Sequence, residues 1–459
     1  MNKYVTVLGI LLSLFSLSYA QFRPANGGGP APRLEEHDHG HCVDPKAREQ
    51  MWEETQRIRQ DLIQAGKLNP TPNRGIQIPP LSFPLRQRAN SFYHGYYGIS
   101  NYVDHDNAGG LRDYTCQERT YNGHRGTDYF LWPFSWDMMD REEVEIIAAA
   151  PGIIINKLDN NFDRNCSFTG QWNAVYIEHF DGTIAWYGHM KKNTLTAKAI
   201  GDSVTTGDYL GLVGSSGFST GPHLHLELFT SRGSLLDPYD GNCNPTSLST
   251  AWANQRPYEL AGLNHIQTGN APPDLSGQCS NDEVVSYTTS FDHGETVYFS
   301  SYFVDQEPTQ PASYRVTRPN GQTWLNWNHD PPERYNASWW YWSNQLPANA
   351  QDGVWTYQVI FEGDTLTQTF TVGVVTSLEE ESALEVFPNP FTNYLEIQGE
   401  MGQGWSLSIL DLRGRLIRKL SDIQTGQKMD LGELPAGLYM ATLSNQAGEQ
   451  QLVTKIVKQ

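Results

Sequence analysis

Five residues of this chain, His124, Asp128, His189, His223 and His225, are of the types that bind a divalent metal and move protons. In GPHLHLEL, residues 221–228, an extended backbone sends alternate side chains to opposite faces, so His223, His225 and Glu227 share one face and Leu224, Leu226 and Leu228 the other. In GHRGTD, His124 and Asp128 stand four apart around Gly126, a residue free to take the bend that lets both side chains converge. WYGHM sets His189 at the exit of another strand-like run. A catalytic zinc takes three nitrogen or oxygen ligands and keeps one position open. Four histidines and one aspartate exceed that need, so the surplus imidazoles are candidates to act on the substrate or its water.

Each residue also has a plainer reading. His124 and Asp128 could be a loop ion pair, His189 the end of a hairpin, and the HxH pair part of a packed strand; their joint occurrence weighs against all three together. His179, in EHFDG, precedes a tight turn and reads as structural. Glu227 either orients His225 by accepting its other N–H or faces solvent. His37, His39 and His41, in HDHGH, read as a segment with weak metal affinity at best. No HExxH occurs, which excludes the helix-borne zinc site with a Glu base.

The chain has 459 residues, 38% hydrophobic and 12% aromatic, enough for about three cored domains. Its formal charge of −19, from 32 basic and 51 acidic side chains, argues against a nucleic-acid partner. Residues 1–20, MNKYVTVLGILLSLFSLSYA, read as a signal peptide cut after Ala20, and no other run approaches the roughly 18 apolar residues of a transmembrane segment. Five cysteines in an exported chain then read as two disulfides with one thiol over. Sequence order favours Cys116 with Cys166 and Cys243 with Cys279, leaving Cys42.

Composition divides the remainder. Residues 21–84 read as a pro-region: a Gly/Pro linker, the histidine run, then a short helix that Asp44 caps and Pro45 begins, with a thin apolar stripe of Met51, Ile58 and Ile63 that needs a partner to pack on. Residues 85–265 carry strand signals. EIIAAAPGIIIN reads as strand, Pro-Gly turn, strand, and NAVYIEHFDGTIAWYGHM as strand, Asp-Gly turn, strand. Residues 268–375 show short alternating runs at the spacing of an immunoglobulin-like β-sandwich, and residues 376–459 a small further β domain. The expected fold class is mainly β: an antiparallel β-sheet domain holding the histidines, two β-sandwiches behind it, and a short helical segment in front.

The motifs HRGTD, AAAPGIII, NAVYIEHFDG, YGH and GSSGFSTGPHLHLE, in that order, resemble the lysostaphin/LytM-type zinc metalloendopeptidases over residues 115–265 or so. The resemblance implies Zn2+ bound by His124, Asp128 and His225, with His189 and His223 flanking the catalytic water. It also implies hydrolysis of peptide cross-links in bacterial peptidoglycan; alternatives are a secreted protease on glycine-rich peptides, or a silent wall-binding or regulatory protein. About twenty residues, YFLWPFSWDMMDREEVEIIA, separate the aspartate motif from the alanine run, longer than is usual in that family, which bears on the substrate groove. VFPNPFTNYLEI, SILDLRGRLI and DLGELPAGLYMATL resemble the C-terminal sorting domain of type IX secretion cargo. That implies the type IX machinery as a partner and a secreted or cell-surface location, reached through the periplasm and outer membrane. The segment 21–84 is expected to keep the enzyme latent, its helix over the groove and the Cys42 thiolate a possible cap on the metal.

Overall fold

The computed structural model describes residues 21–31, 43–70, 79–106, 108–244, 250–275, 283–373, 384–398, 404–411, 416–444 and 450–459. The signal segment, HDHGH, Cys42 and Cys279 lie outside the described residues. The chain is mainly β, arranged as antiparallel sheets.

The histidines sit on a sheet whose strands run in the order Ser203–Val204, Gly152–Leu158, Ala174–Glu178, Ile184–Gly188, His223–Phe229, Thr127–Leu131, Tyr97–Asn101. His223–Phe229 is central and buried along its whole length. Leu224, Leu226 and Leu228 face back into a core with Val175, Ile177, Ala185 and Tyr187, each leucine contributing about 2 kcal/mol of burial. The opposite face carries His223, His225, Glu227 and Phe229. The Asp-Gly hairpin forms, with Ile184 opposite Glu178 and Tyr187 opposite Val175.

The Pro-Gly hairpin does not form. Val144–Ile147 joins a separate three-stranded sheet with Tyr209–Leu212 and Leu85–Gln87, whereas Gly152–Leu158 joins the main sheet. The intervening Ala148, Ala149 and Ala150 are buried in the shared core, so the small residues serve a close crossing between sheets. Within the longer connection, Ser135–Asp140 is a short helix whose first backbone N–H groups are met by the Glu283 carboxylate.

The N-terminal helix spans Pro45–Gln64, with the Asp44 side chain accepting from the N–H of Lys46 and Ala47. Its apolar stripe packs on the histidine-bearing face of the main sheet, where Met51, Trp52 and Ile58 meet Tyr176, Trp186 and Phe229.

Behind this unit two sheets form a β-sandwich. One holds Gly262–Gly269, Thr296–Gln306 and Tyr335–Gln345; the other Thr323–His329, Ala312–Thr317, Gly353–Phe361 and Asp364–Val372. The boundary differs from expectation, because the strand from Gly262 already belongs to the sandwich. So does the stretch read as a Gly/Pro linker: Gln21–Phe22 pairs with Trp327 and Asn328, and Gly27–Pro30 with Tyr341 through Ser338. Edge pairing uses the backbone alone, so a glycine run can supply it without an apolar pattern. A second, smaller sandwich of seven strands closes the chain from Glu385.

The cysteine pairing is also corrected. Cys116 bonds Cys243 across 127 residues, with Cα atoms 5.1 Å apart. The fold brings the loop after Tyr97–Asn101 against the segment after the central strand, and nearness in sequence does not decide the partner.

Candidate metal centre

Strand register assembles the site. Asp128 lies opposite His225 and Phe130 opposite His223 on one side of the central strand; on the other, Gly188 lies opposite His225. His189 follows at φ 61°, a conformation that costs a non-glycine residue of order 1–3 kcal/mol. That turn brings its ring to 4.4 Å from the ring of His223, centroid to centroid. Two glycines give the room. A Cβ on Gly126 would lie 2.8 Å from the His225 ring and 2.6 Å from the Leu226 carbonyl, and one on Gly188 would meet the Trp172 ring at 2.2 Å.

His124, Asp128 and His225 offer ligand atoms that all lie within 4.8 Å of one another, and all three residues are buried. Acceptor-only partners hold the outer nitrogen of each histidine. His124 places Nδ1 2.7 Å from the Tyr102 carbonyl, so Nδ1 carries the proton and the Nε2 lone pair points at Asp128 Oδ2, 3.0 Å away. His225 lies between two carboxylates, Nε2 2.9 Å from Glu227 Oε1 and Nδ1 2.6 Å from Asp128 Oδ1; with a metal on the Asp128 side the proton sits on Nε2 and the Nδ1 lone pair faces inward. With the outer nitrogens donating to Tyr102 and Glu227, a cation among His124, Asp128 and His225 would take both inward lone pairs and the carboxylate together. The donor set of two nitrogens and one carboxylate suits zinc, so the residues present fit that ion.

His189 and His223 stand beside this cluster with the same device. Their Nδ1 atoms lie 2.6 Å from the Ser216 carbonyl and 2.8 Å from the Gly221 carbonyl, which leaves both Nε2 atoms unprotonated. Burial, with the neighbouring His189, pushes the His223 imidazole down to about 4, so it is neutral near pH 7 and able to accept a proton. Burial pushes the Glu227 carboxyl up, and the Arg48 charge with the hydrogen bonds of His225 and Arg48 more than reverses this, keeping it ionised.

Of the readings left open, Glu227 takes the orienting one. His179 is structural: it is buried, with Nδ1 2.8 Å from the Pro151 carbonyl. Sequence reasoning missed Asn101, whose amide donates to Asp128 Oδ2 at 3.1 Å, and Trp172, whose ring lies 5.4 Å from that of His189. It also missed Arg48, which holds Glu227 through two hydrogen bonds of 2.7 and 2.6 Å. None of the three belongs to a motif; only the fold brings them in. GFSTG, residues 217–221, spells the GxSxG of a serine nucleophile. Its Ser219 is buried on a short strand, 2.7 Å from Ser215 Oγ and 3.0 Å from the Gly221 carbonyl, with no exposed strand-to-helix turn.

The chain is similar to known proteins in two segments. Residues 134–238 match the model of peptidase family M23. His189, His223 and His225 fall inside the match, and His124 and Asp128 just ahead of it. Residues 385–459 match the secretion system C-terminal sorting domain. An uncharacterised metalloprotease of Buchnera aphidicola is 37% identical over 88 residues, 19% of this chain and 20% of its own. The peptidoglycan DD-endopeptidase ShyC of Vibrio cholerae is 32% identical over 108 residues, 24% of this chain and 20% of its own. The chain thus spans about a fifth of the length of these relatives. The lysostaphin catalytic domain of Staphylococcus simulans aligns at 24% identity and a TM-score of 0.21, covering 31% of this chain and 89% of that one. The chain therefore carries one segment, residues 134–238, that matches peptidase family M23 and another, residues 385–459, that matches the secretion system C-terminal sorting domain.

Proposed function

We propose that the protein is a secreted zinc metalloendopeptidase that hydrolyses peptide cross-links of bacterial peptidoglycan, with His124, Asp128 and His225 as metal ligands and His189 and His223 as catalytic residues. The observation that carries this reading is the convergence of His124 Nε2 and His225 Nδ1 on the two oxygens of Asp128, with two further imidazole Nε2 atoms beside them. A zinc ion held there would polarise the scissile carbonyl and make a bound water more acidic. His223 Nε2 faces this point, 3.7 Å from Asp128 Oδ1, and takes the proton from the attacking water. His189, held by the Ser216 carbonyl, faces the same space and shares the burden of developing charge. Trp172 and the buried sheet keep bulk water from the back of the site.

A cleft of about 400 Å3 is lined by Asn101, Thr120 and Phe130 on one side and by Tyr335 and Asn336 of the sandwich on the other; Asn101, whose amide donates to Asp128, is its link to the centre. The peptidoglycan substrate is supported by the likeness to the peptidoglycan DD-endopeptidase ShyC, 32% identical over 108 residues. Export through the type IX machinery to the cell surface or medium follows from the sorting domain. Among the described residues no helix is long and apolar enough to cross a membrane.

The test is to incubate the purified chain with defined muropeptides and with a glycine-rich protein and locate the cut by mass spectrometry. Cleavage within the cross-link is expected. Cleavage of the glycine-rich protein alone moves the substrate to the secreted-protease reading, and no cleavage of either removes the enzyme.

A further inference from the structure

We propose that the helix Pro45–Gln64 is a permanent part of the peptidase unit, and that its Arg48 is a positioning residue that holds His225 through Glu227. The second half of this inference rests on the reading of His225 as a metal ligand.

The helix lies on the face of the sheet that bears the site, and it is tied there by polar contacts that an easily shed segment would not carry. Two arginines on it clasp two carboxylates of the sheet. Arg48 reaches Glu227 at 2.7 and 2.6 Å, and Arg59 reaches Glu178 at 2.5 and 2.9 Å. The side chains of Glu227 and Glu178 are 0% and 2% exposed. Between these clasps Thr55 accepts from the Asn156 amide at 3.0 Å, within the buried interface. Trp52 packs on Trp186 and Phe229, with centroids 5.9 and 5.4 Å apart. Departure of the helix would take the hydrogen-bonded cation from each of two buried carboxylates, leaving Glu227 only Arg125 at 3.8 Å, and bare the rings of Tyr176, Trp186 and Phe229; breaking a buried pair from one side is strongly destabilising.

The Arg48 clasp differs from the Arg59 clasp in what stands behind it. Glu227 Oε1 accepts from Arg48 and also from His225 Nε2, so one oxygen joins the helix to the imidazole. With a metal on the Asp128 side, that hydrogen bond keeps the proton on Nε2 and the Nδ1 lone pair inward. Arg125 is the next cation, its Nε 3.8 Å from Glu227 Oε2, beyond hydrogen-bond range. Without Arg48 the carboxylate keeps only the longer Arg125 ion pair, and the imidazole loses the acceptor that two hydrogen bonds from Arg48 hold in place. Glu178 touches no residue of the site, so the Arg59 clasp supplies the same kind of stability with no such link.

A segment that only blocks the groove and a segment that builds the site predict opposite signs. Loosening a block raises hydrolysis; loosening a support lowers metal affinity. The experiment uses the full-length chain and its Arg48→Met, Arg48→Lys, Arg59→Met, Glu227→Gln and Arg48→Met/Glu227→Gln variants, with thermal unfolding of the metal-free proteins and zinc affinity by competition with a chelator. Glu227→Gln removes the carboxylate on the His225 imidazole and is expected to weaken zinc about 10- to 100-fold, and Arg48→Met, which acts through Glu227, weakens it by more than about twofold and by no more than Glu227→Gln does. Arg48→Lys recovers part of that loss, and adding Arg48→Met to Glu227→Gln weakens zinc no further. Arg59→Met lowers the unfolding temperature as Arg48→Met does, yet leaves zinc affinity within about twofold. Equal loss of zinc in Arg59→Met and Arg48→Met, full additivity in the double variant, or faster wall hydrolysis by Arg48→Met overturns the positioning role. If the unaltered chain binds no zinc, the metal reading itself fails; unfolding temperatures unchanged in both arginine variants would then also remove the helix from the unit, and lowered ones would keep it there.

Discussion

The rings of His189 and His223 stand 4.4 Å apart, yet each is fixed by a backbone carbonyl and not by the other. A carbonyl only accepts, so each Nδ1 must carry the proton and each Nε2 is left as a base. His225, two residues from His223 on the same strand and face, is held the opposite way round, with Nε2 to Glu227 and Nδ1 toward Asp128. One strand therefore presents a proton acceptor and a metal-directed nitrogen side by side.

That difference predicts a split between two substitutions. His225→Ala should lose both metal and hydrolysis, because it removes a ligand. His189→Ala should keep metal and lose turnover by about 10²–10⁴, the usual worth of a positioned acid or base. Metal analysis of the two purified variants checks it. Equal loss of zinc in both would contradict the assignment of roles.

A second prediction concerns pH and lies away from the site. His265, from the first sandwich strand, is 3% exposed among Phe92, Tyr93, Tyr302 and His94, and neither ring nitrogen has a hydrogen-bond partner. Burial, with His94 nearby, pushes it down to about 3 from 6.5. The unfolded chain thus binds the extra proton between those values, so its contribution to stability is present above pH 6.5 and is lost as pH falls toward 3. The slope is about 1.4 kcal/mol per pH unit for one proton. Denaturant unfolding of the unaltered chain and of His265→Leu at pH 7, 6 and 5 should show the variant less sensitive to acid. Parallel pH curves would refute it.

How far the sequence reached depends on how local each signal is. The HxH strand, its neighbouring Asp-Gly hairpin, the Asp44–Pro45 helix start and the approach of His124 and Asp128 follow from alternation, turn chemistry and short spacing, and the structure has them. The alanine run misled because a tight crossing between sheets and a hairpin use the same small residues. Gly27–Pro30 misled because an edge strand paired by backbone needs no apolar pattern. Arg48 and Asn101 were invisible for a different reason: they reach Glu227 and Asp128 from 179 and 27 residues away, and nothing in either neighbourhood marks an arginine or an asparagine as bound for the site.

The disulfide gives a third prediction. Cys116–Cys243 pins the loop between Asn101 and His124, and the Cys243 N–H also donates to the Tyr114 carbonyl at 2.8 Å. Cys243→Ser should cost about 2–4 kcal/mol of stability. Because that loop carries Tyr102 and His124, it should also weaken metal binding. Thermal unfolding with and without zinc measures both effects, and unchanged stability would count against the bond.

Export gives a fourth. A chain ending before Glu385 should remain active but stay within the cell envelope, since only the sorting domain is missing. Activity assays on medium and envelope fractions decide it. Normal release of the shortened chain to the medium would rule out the sorting role.

The most direct measurement titrates zinc into the metal-free full-length protein while following hydrolysis of a peptidoglycan cross-link. Hydrolysis should be absent at the start, rise in proportion to bound zinc and level off at about one equivalent, as a single centre of His124, Asp128 and His225 requires. Undiminished hydrolysis by protein holding less than about a tenth of an equivalent of metal would contradict the account.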